Sequence, residues 1–496
     1  MKILRKGYIL VLLVTLSISG CMTLEVNPIS GKKRIYGYTW AQELQLGADA
    51  DKEISAQYGL YDDPELSAYV SDLGEELLQV SHLKRDNTPK EYKDIDFTFR
   101  VLNSPIVNAF ALPGGYVYVT RGLLSHLENE AQLMVVLGHE IGHVAARHAS
   151  QRAANQQLGQ LAIIGGAVIG ESIGLDGGNI LQLSSQTAQL LFLSYGRDDE
   201  RESDALGVEY TAMKGYEAAE GAAFFGSLKR ITEKAGGGIP SHLSSHPDPG
   251  EREKTIPKLA AGWEKKGYEM TKVNQDRFMK MVDGILYGEN PRDGFVQDDI
   301  FYHPDLKFQF SVPKGFAVIN EPSAVIMVNE KQDAIIQFAI DQQNDSPQAS
   351  VNAFITQDGI SVVNQQSLTV NGNAGYNAVA LAKTEDGTEL ELDITAINYD
   401  GNVYKILSYT TATQFDTYIA EFKKVRDGFK KVTNSSILNV KPVRLKLVQA
   451  SSTTAFRNLL PSTLPMNIDA GDIAIINQVQ LDEQIAKGTW IKIPVQ

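Results

Sequence analysis

Apolar residues recur at helical spacing from Trp40 to His82, and Gly59 and the Asp63-Pro64 pair interrupt them, which predicts two amphipathic helices. Strand-like stretches follow at 97–102 and 108–119, the second divided by Pro113-Gly114-Gly115. A Pro-Gly-Gly turn between β-rich runs predicts an irregular hairpin or an edge strand, and either leaves backbone unpaired. Asn129, with Gln132 three residues on, is a good N-cap, so a long helix is expected from there through His143 to about Arg152. The stretch 158–175 is apolar and Gly-rich, but Glu171 interrupts it. A membrane span needs roughly 20 uninterrupted apolar residues, so this stretch is expected to be a flap with Gly165, Gly166, Gly170 and Gly174 as hinge positions. Helical patterns resume over 185–234 and again over 251–266.

Beyond 284–288 the period of the pattern changes to 2, with strands expected at 307–312, 324–328, 334–340 and 389–399. Two helical stretches, 349–357 and 415–429, make this second unit α+β, and the boundary falls near 295. The last 60 or so residues predict a third unit: a strand at 443–448, a helix at 453–460, a helical patch at 473–477 and a strand at 490–494. The chain is thus α+β. It is expected to divide into a leader (1–20), a tether (21–35), a mainly helical unit with a small sheet (36–270), a linker (271–295), an α+β accessory unit (296–435) and a small C-terminal unit (440–496).

Composition narrows the function without naming it. A formal charge of -14 argues against nucleic acid as a partner, because a phosphate backbone would repel such a surface. The single cysteine, Cys21, rules out an internal disulfide and leaves any metal site to nitrogen and oxygen ligands. It follows a basic start (Lys2, Arg5, Lys6), an apolar run and Ser19-Gly20, a pattern that predicts a signal peptide cleaved before Cys21 and lipidation of that residue. The expected location is a bacterial envelope, held to the membrane by lipid, with Met22 after the cysteine fitting the outer membrane facing the periplasm.

The candidate chemistry lies in the predicted helix from Asn129. His139 and His143 are four residues apart and share one face, so both imidazoles can reach one metal ion. Glu140 is rotated by about 100° from His139 and can lean over the same site to take a proton from water. A catalytic zinc keeps three protein ligands and one open position. The third ligand is expected from a second helix, where Glu200 and Asp204 are four apart: Glu200 on the ion, Asp204 orienting His139. One Zn²⁺ per chain follows. The competing interpretation of Glu200, Glu202 and Asp204 is a solvated acidic face.

These residues, with 108–124, Ser194-Tyr195-Gly196-Arg197, Ser245-His246-Pro247 and Arg252, resemble metallopeptidase family 48 over roughly 36–265. The resemblance implies a zincin-type (gluzincin) endopeptidase with zinc on two histidines and a glutamate, acting on misfolded or unassembled envelope proteins. Ser203 and Gly196 depart from the residues common in that family. The family places a histidine loop near its metal, so His246 is expected to stabilise the oxyanion, gate the open zinc position, or only anchor a turn, with Arg252 holding the loop. His148 is expected to be a packed or surface histidine.

Asn108, Ala109, Phe110, Gly114 and Gly115 are candidates for a strand that aligns substrate by backbone hydrogen bonds, against the alternative of a structural hairpin. The C-terminal unit resembles a LysM-like fold through Ile476-Asn477 and 488–494, which implies contact with peptidoglycan. A different class of function, a periplasmic chaperone or assembly factor with structural zinc, accounts for the edge strand and flap but leaves Glu140 without a role.

Overall fold

The computed structural model describes residues 22–164, 187, 195–234, 249–384, 387–465 and 467–496. Cys21, His246 and the hinge glycines of the expected flap lie outside the described residues.

A hairpin of β1 (Thr23–Val26) and β2 (Lys33–Tyr36) opens the described chain. Thr39 and Asp63 then start helices α1 (Trp40–Tyr58) and α2 (Pro64–Leu78), each side chain accepting a backbone N–H three residues on. The two β-rich runs form one three-stranded sheet. Strand β3 (Thr98–Leu102) pairs parallel with β5 (Tyr116–Thr120), and β4 (Ala109–Leu112) pairs antiparallel on the other side of β5. The order β3-β5-β4 makes β4 an edge. Gly114 and Gly115 form the turn before β5 with φ of 82° and 87°, a left-handed conformation that glycine adopts without strain.

Helix α3 (Glu130–Ala146) is capped by Asn129, whose side chain accepts the Gln132 N–H at 3.0 Å, and all of its residues are buried. Here the sequence expectation needs correcting, because the helix does not run on to Arg152. Arg147 takes the left-handed conformation (φ 61°) and ends it, and a new helix α4 (His148–Ile164) begins at once. What holds this turn is a buried guanidinium. Arg147 donates to Glu43 through Nε and Nη2 (2.8 and 2.6 Å) and to Glu25 through Nη1 (2.6 Å). It also donates to the Tyr38 carbonyl and lies 3.8 Å over the Tyr36 ring.

Helix α5 (Arg197–Met213) packs against α3 at unusually close range. A Cβ on Gly207 would come within 2.8 Å of the His139 backbone nitrogen, and one on Gly138 within 3.0 Å of Gly207. Two glycines at the crossing therefore let the backbones touch, and the acidic turn of α5 lands beside the histidines. Helices α6 (Gly221–Lys234) and α7 (Pro249–Glu264) pack outside this pair.

The middle of the chain forms an antiparallel seven-stranded sheet. Its strands are β6 (Phe316–Glu321), β7 (Ala324–Asn329), β8 (Ala334–Asp341), β9 (Ile360–Val370), β10 (Asn373–Lys383), β11 (Glu389–Tyr399) and β12 (Asn402–Thr411), in the order β9-β10-β11-β12-β8-β7-β6. Helices α8 (Pro347–Ile355) and α9 (Phe415–Gly428) cover it, so this region is α+β.

At the C-terminus, β13 (Arg444–Gln449) pairs with β14 (Trp490–Val495), with α10 (Ala470–Ile476) between them. The helix expected at 453–460 is instead a short strand, Thr454–Ala455, followed by a 3-10 turn, Phe456–Leu459. Pairing of Thr454 with Ile485 takes the backbone that a helix would need, and Pro461 stops any continuation. Phe456, Ile473 and Ile491 share one apolar core with α3. Lys492, fully buried, fastens the contact through the carbonyls of Ser125 and Leu127 and an ion pair with Glu128 at 2.9 Å. Among the described residues no helix is long and apolar enough to cross a membrane.

Candidate metal centre

Three buried side chains from two helices converge where α3 crosses α5. The ligand-type atoms of His139, His143 and Glu200 all lie within 4.8 Å of one another. The two Nε2 atoms are 2.9 Å apart, and the Glu200 oxygens are 3.6 Å from His139 Nε2 and 3.4 Å from His143 Nε2. Ligands at zinc bond lengths around a tetrahedral ion are about 3.3 Å apart, so these atoms are already at the right separations. The donor set, two imidazoles and a carboxylate with no thiolate, also fits zinc. Burial holds His143 well below the usual histidine pKa, which keeps its ring neutral as a ligand must be.

Each histidine is aimed by a second residue. Asp204 Oδ1 lies 2.9 Å from His139 Nδ1, and Arg252 Nη2 is 3.0 Å from the same nitrogen, contacts that hold the ring with Nε2 facing the site. Arg252 grips that carboxylate through Nε at 3.0 Å and Nη2 at 2.6 Å, and stacks 3.9 Å over Phe225. Burial alone would raise the Asp204 pKa, but Arg252 and His139 outweigh it and hold the carboxyl below its ordinary value. Arg252 Nη1 is also 3.6 Å from Glu200. Arg252 is thus in contact with both carboxylates of the second helix.

His143 has a partner that the sequence reading did not assign to it. Of the two alternatives, packed or surface, His148 is the packed one: it is fully buried, and its Nδ1 lies 3.0 Å from His143 Nδ1. Its Nε2 lies 3.2 Å from Glu202, which Arg34 approaches at 3.6 Å. Ser203, one of the departures from the family pattern, brings its Oγ to 3.3 Å from His148 Nδ1. No local sequence signal marks this role; the Arg147 turn, made by tertiary contacts, swings the next residue back towards α3. His148→Ala is expected to weaken zinc binding by about 10- to 100-fold, the usual effect of losing such a partner, while far-UV circular dichroism stays unchanged. Competition with a chromogenic chelator checks it.

Glu140, 1% exposed, sits between the two histidines in α3. Tyr195 stacks on His143 with centroids 4.0 Å apart. Leu112 of the edge strand β4 and Pro113 line the same small crevice as His143 and Tyr195. Gly114 and Gly115 pack instead against α1 and Phe97, where added Cβ atoms would meet neighbours at 3.0 Å. Ala109 and Phe110 are on β4, with Asn108 just before it. Among the residues expected here, His246 is outside the described residues.

Two histidines one helical turn apart, a glutamate between them and a carboxylate from a second helix define a metal-dependent hydrolase centre of the zinc peptidase type. Comparison with known proteins points the same way: residues 64–260 match the model of peptidase family M48, so that stretch of the chain is similar to this family. Relatives include the beta-barrel assembly-enhancing protease of Escherichia coli, 28% identical over 217 residues that cover 42% of each chain. The putative beta-barrel assembly-enhancing protease of Vibrio cholerae is 30% identical over 221 residues, again 42% of each. The mitochondrial metalloendopeptidase OMA1 of Schizosaccharomyces pombe is 33% identical over 187 residues, 37% of this chain and 51% of that one. The chain therefore spans about half or less of the length of these relatives.

Proposed function

We propose that the protein is a zinc-dependent endopeptidase that hydrolyses peptide bonds of misfolded or unassembled proteins of a bacterial envelope. The observation that carries this reading is the buried His139-His143-Glu200 cluster with Glu140 beside it. Zinc on those three ligands would polarise the substrate carbonyl and acidify water. The chain's own residues do the rest. Glu140 takes the proton of the attacking water and returns it to the leaving amine. Asp204 and His148 hold the two imidazoles in place. Strand β4 offers unpaired backbone on which an extended substrate can lie, which aligns it without reading its side chains. Glu140 favours this over a chaperone with structural zinc, since a structural site has no use for a base.

Envelope location rests on the Cys21 context and on what the bacterial relatives are named for. In this reading Cys21 carries the lipid, 36–270 is the peptidase unit, 296–435 an accessory unit, and 440–496 a LysM-like unit that touches peptidoglycan. His246 and Arg252 complete the site, the first as gate or oxyanion donor. The test is recovery of bound polypeptides on Glu140→Gln protein purified from its own envelope. Enrichment of unassembled envelope proteins over an abundance-matched control is expected, and an unenriched sample would overturn the substrate assignment.

A further inference from the structure

A cavity of about 520 Å³ lies between the helical part of the chain and the seven-stranded sheet, away from the metal centre. One wall is the loop 103–106, and the other is built on Phe308, Phe338 and Tyr404 of the sheet region. Its charge is one-sided. Glu289, Asp293 and Glu321 line it, while the only arginine or lysine among its lining residues, Arg121, is already committed. That guanidinium donates to Asn103 Oδ1 at 2.8 Å and to the carbonyls of Leu286 and Gly288 at 3.2 and 2.7 Å.

His303 adds no positive charge, since burial pushes its pKa down to about 4. Asp293 accepts the Asn290 amide at 2.9 Å. The carboxylates of Glu289 and Glu321 have no hydrogen bond or ion pair among the described residues. Glu321 is pushed up to about 7, first by burial and then by Glu289. Arg121 acts on Glu289 only through space, and among the described residues no cation is in ion-pair contact with either carboxylate, so the acidic side of this aromatic-walled space is incompletely matched.

We propose that this cavity takes a lysine or arginine side chain, flanked by apolar ones, on the same extended polypeptide that lies along β4. The volume falls within the roughly 300–1,000 Å³ of ligand pockets. Ile106 in its wall is three residues before Ala109, where β4 begins, and Leu112 at the far end of that strand borders His143. Six fully extended residues span at most about 20 Å, and residues 106–108 are not in a strand, so a substrate's basic residue lies within about six positions of the bond being cut. The middle of the chain thereby acquires a purpose: it supplies the acidic and aromatic half of a docking subsite.

This inference rests on the peptidase reading, and one set of preparations separates the two. Full-length Glu140→Gln protein is titrated with fluorescein-labelled decapeptide amides that are identical except for one lysine or glutamine between leucines. The lysine peptide is expected to bind about tenfold more tightly, a difference of about 1.4 kcal/mol. Combined Glu289→Gln and Glu321→Gln changes, which keep side-chain shape, should erase that ratio, and Ala339→Trp, which fills the cavity, should weaken both peptides. A ratio near one, or one untouched by the double substitution, overturns the inference. Cleavage of casein by the wild-type chain is measured alongside. No cleavage with the ratio intact would remove the peptidase reading and leave the docking site.

Discussion

Glu140→Gln keeps one zinc per chain and loses peptide hydrolysis by about two to four orders of magnitude, the scale that a general base contributes. The substitution preserves size and removes only the ability to take a proton. Because His139, His143 and Glu200 supply the ligand atoms and Glu140 does not belong to that cluster, metal content should not change. Steady-state cleavage of a quenched fluorescent peptide, with zinc measured by plasma mass spectrometry on the same samples, checks both halves. Wild-type turnover in the variant would remove Glu140 from the mechanism.

Arg147→Met is expected to destabilise the helical part by about 3–5 kcal/mol, the cost of leaving a buried partner charge unmatched. Glu43, 1% exposed, receives two of the Arg147 hydrogen bonds, and among the described residues no other cation forms an ion pair with it. Trp40 lies 5.5 Å from the same guanidinium, so its fluorescence follows local unfolding in urea. Arg147→Lys should recover only part of the loss, because an ammonium cannot present the planar fork that grips Glu43. A midpoint unchanged in Arg147→Met would mean that the left-handed turn stands without its anchor. Loosening it also frees His148 from His143, so zinc affinity should fall together with stability.

Much of the candidate site was legible because its signals are local. Spacing of four residues puts His139 and His143 on one helix face, and the same spacing pairs Glu200 with Asp204. What joins the two helices was not legible from spacing, since the Gly138 and Gly207 contact is a packing fact between segments some 70 residues apart in sequence. His148 escaped for a similar reason: helical periodicity continues straight through Arg147, and only the tertiary partners Glu43 and Glu25 stabilise the turn there.

The middle sheet was read incompletely. Strand β9 is mostly exposed and carries Asn364, Gln365 and Gln366, so its hydrophobic alternation is faint. Its signal was in the turn. Asn371-Gly372, with φ of 47° and 87°, joins β9 to β10, and Asp400-Gly401, at 49° and 83°, joins β11 to β12. Such pairs favour two-residue hairpin turns because both positions need positive φ. Only the second hairpin had one of its strands, 389–399, in the sequence reading. By contrast the Pro-Gly-Gly turn had allowed a hairpin or an edge strand, and β4 is both, hairpinned to β5 at the sheet edge, although the parallel pairing of β3 with β5 was not foreseen.

The most direct measurement strips the purified full-length protein of metal with a chelator and adds zinc back in fractions of an equivalent while casein cleavage is followed. Cleavage is expected to vanish on stripping and to return in proportion to added zinc, levelling off at one equivalent per chain, with His143→Ala failing to recover at any of these additions. Cleavage that persists in the stripped protein, or that His143→Ala recovers in full at one equivalent, would contradict zinc catalysis at this site.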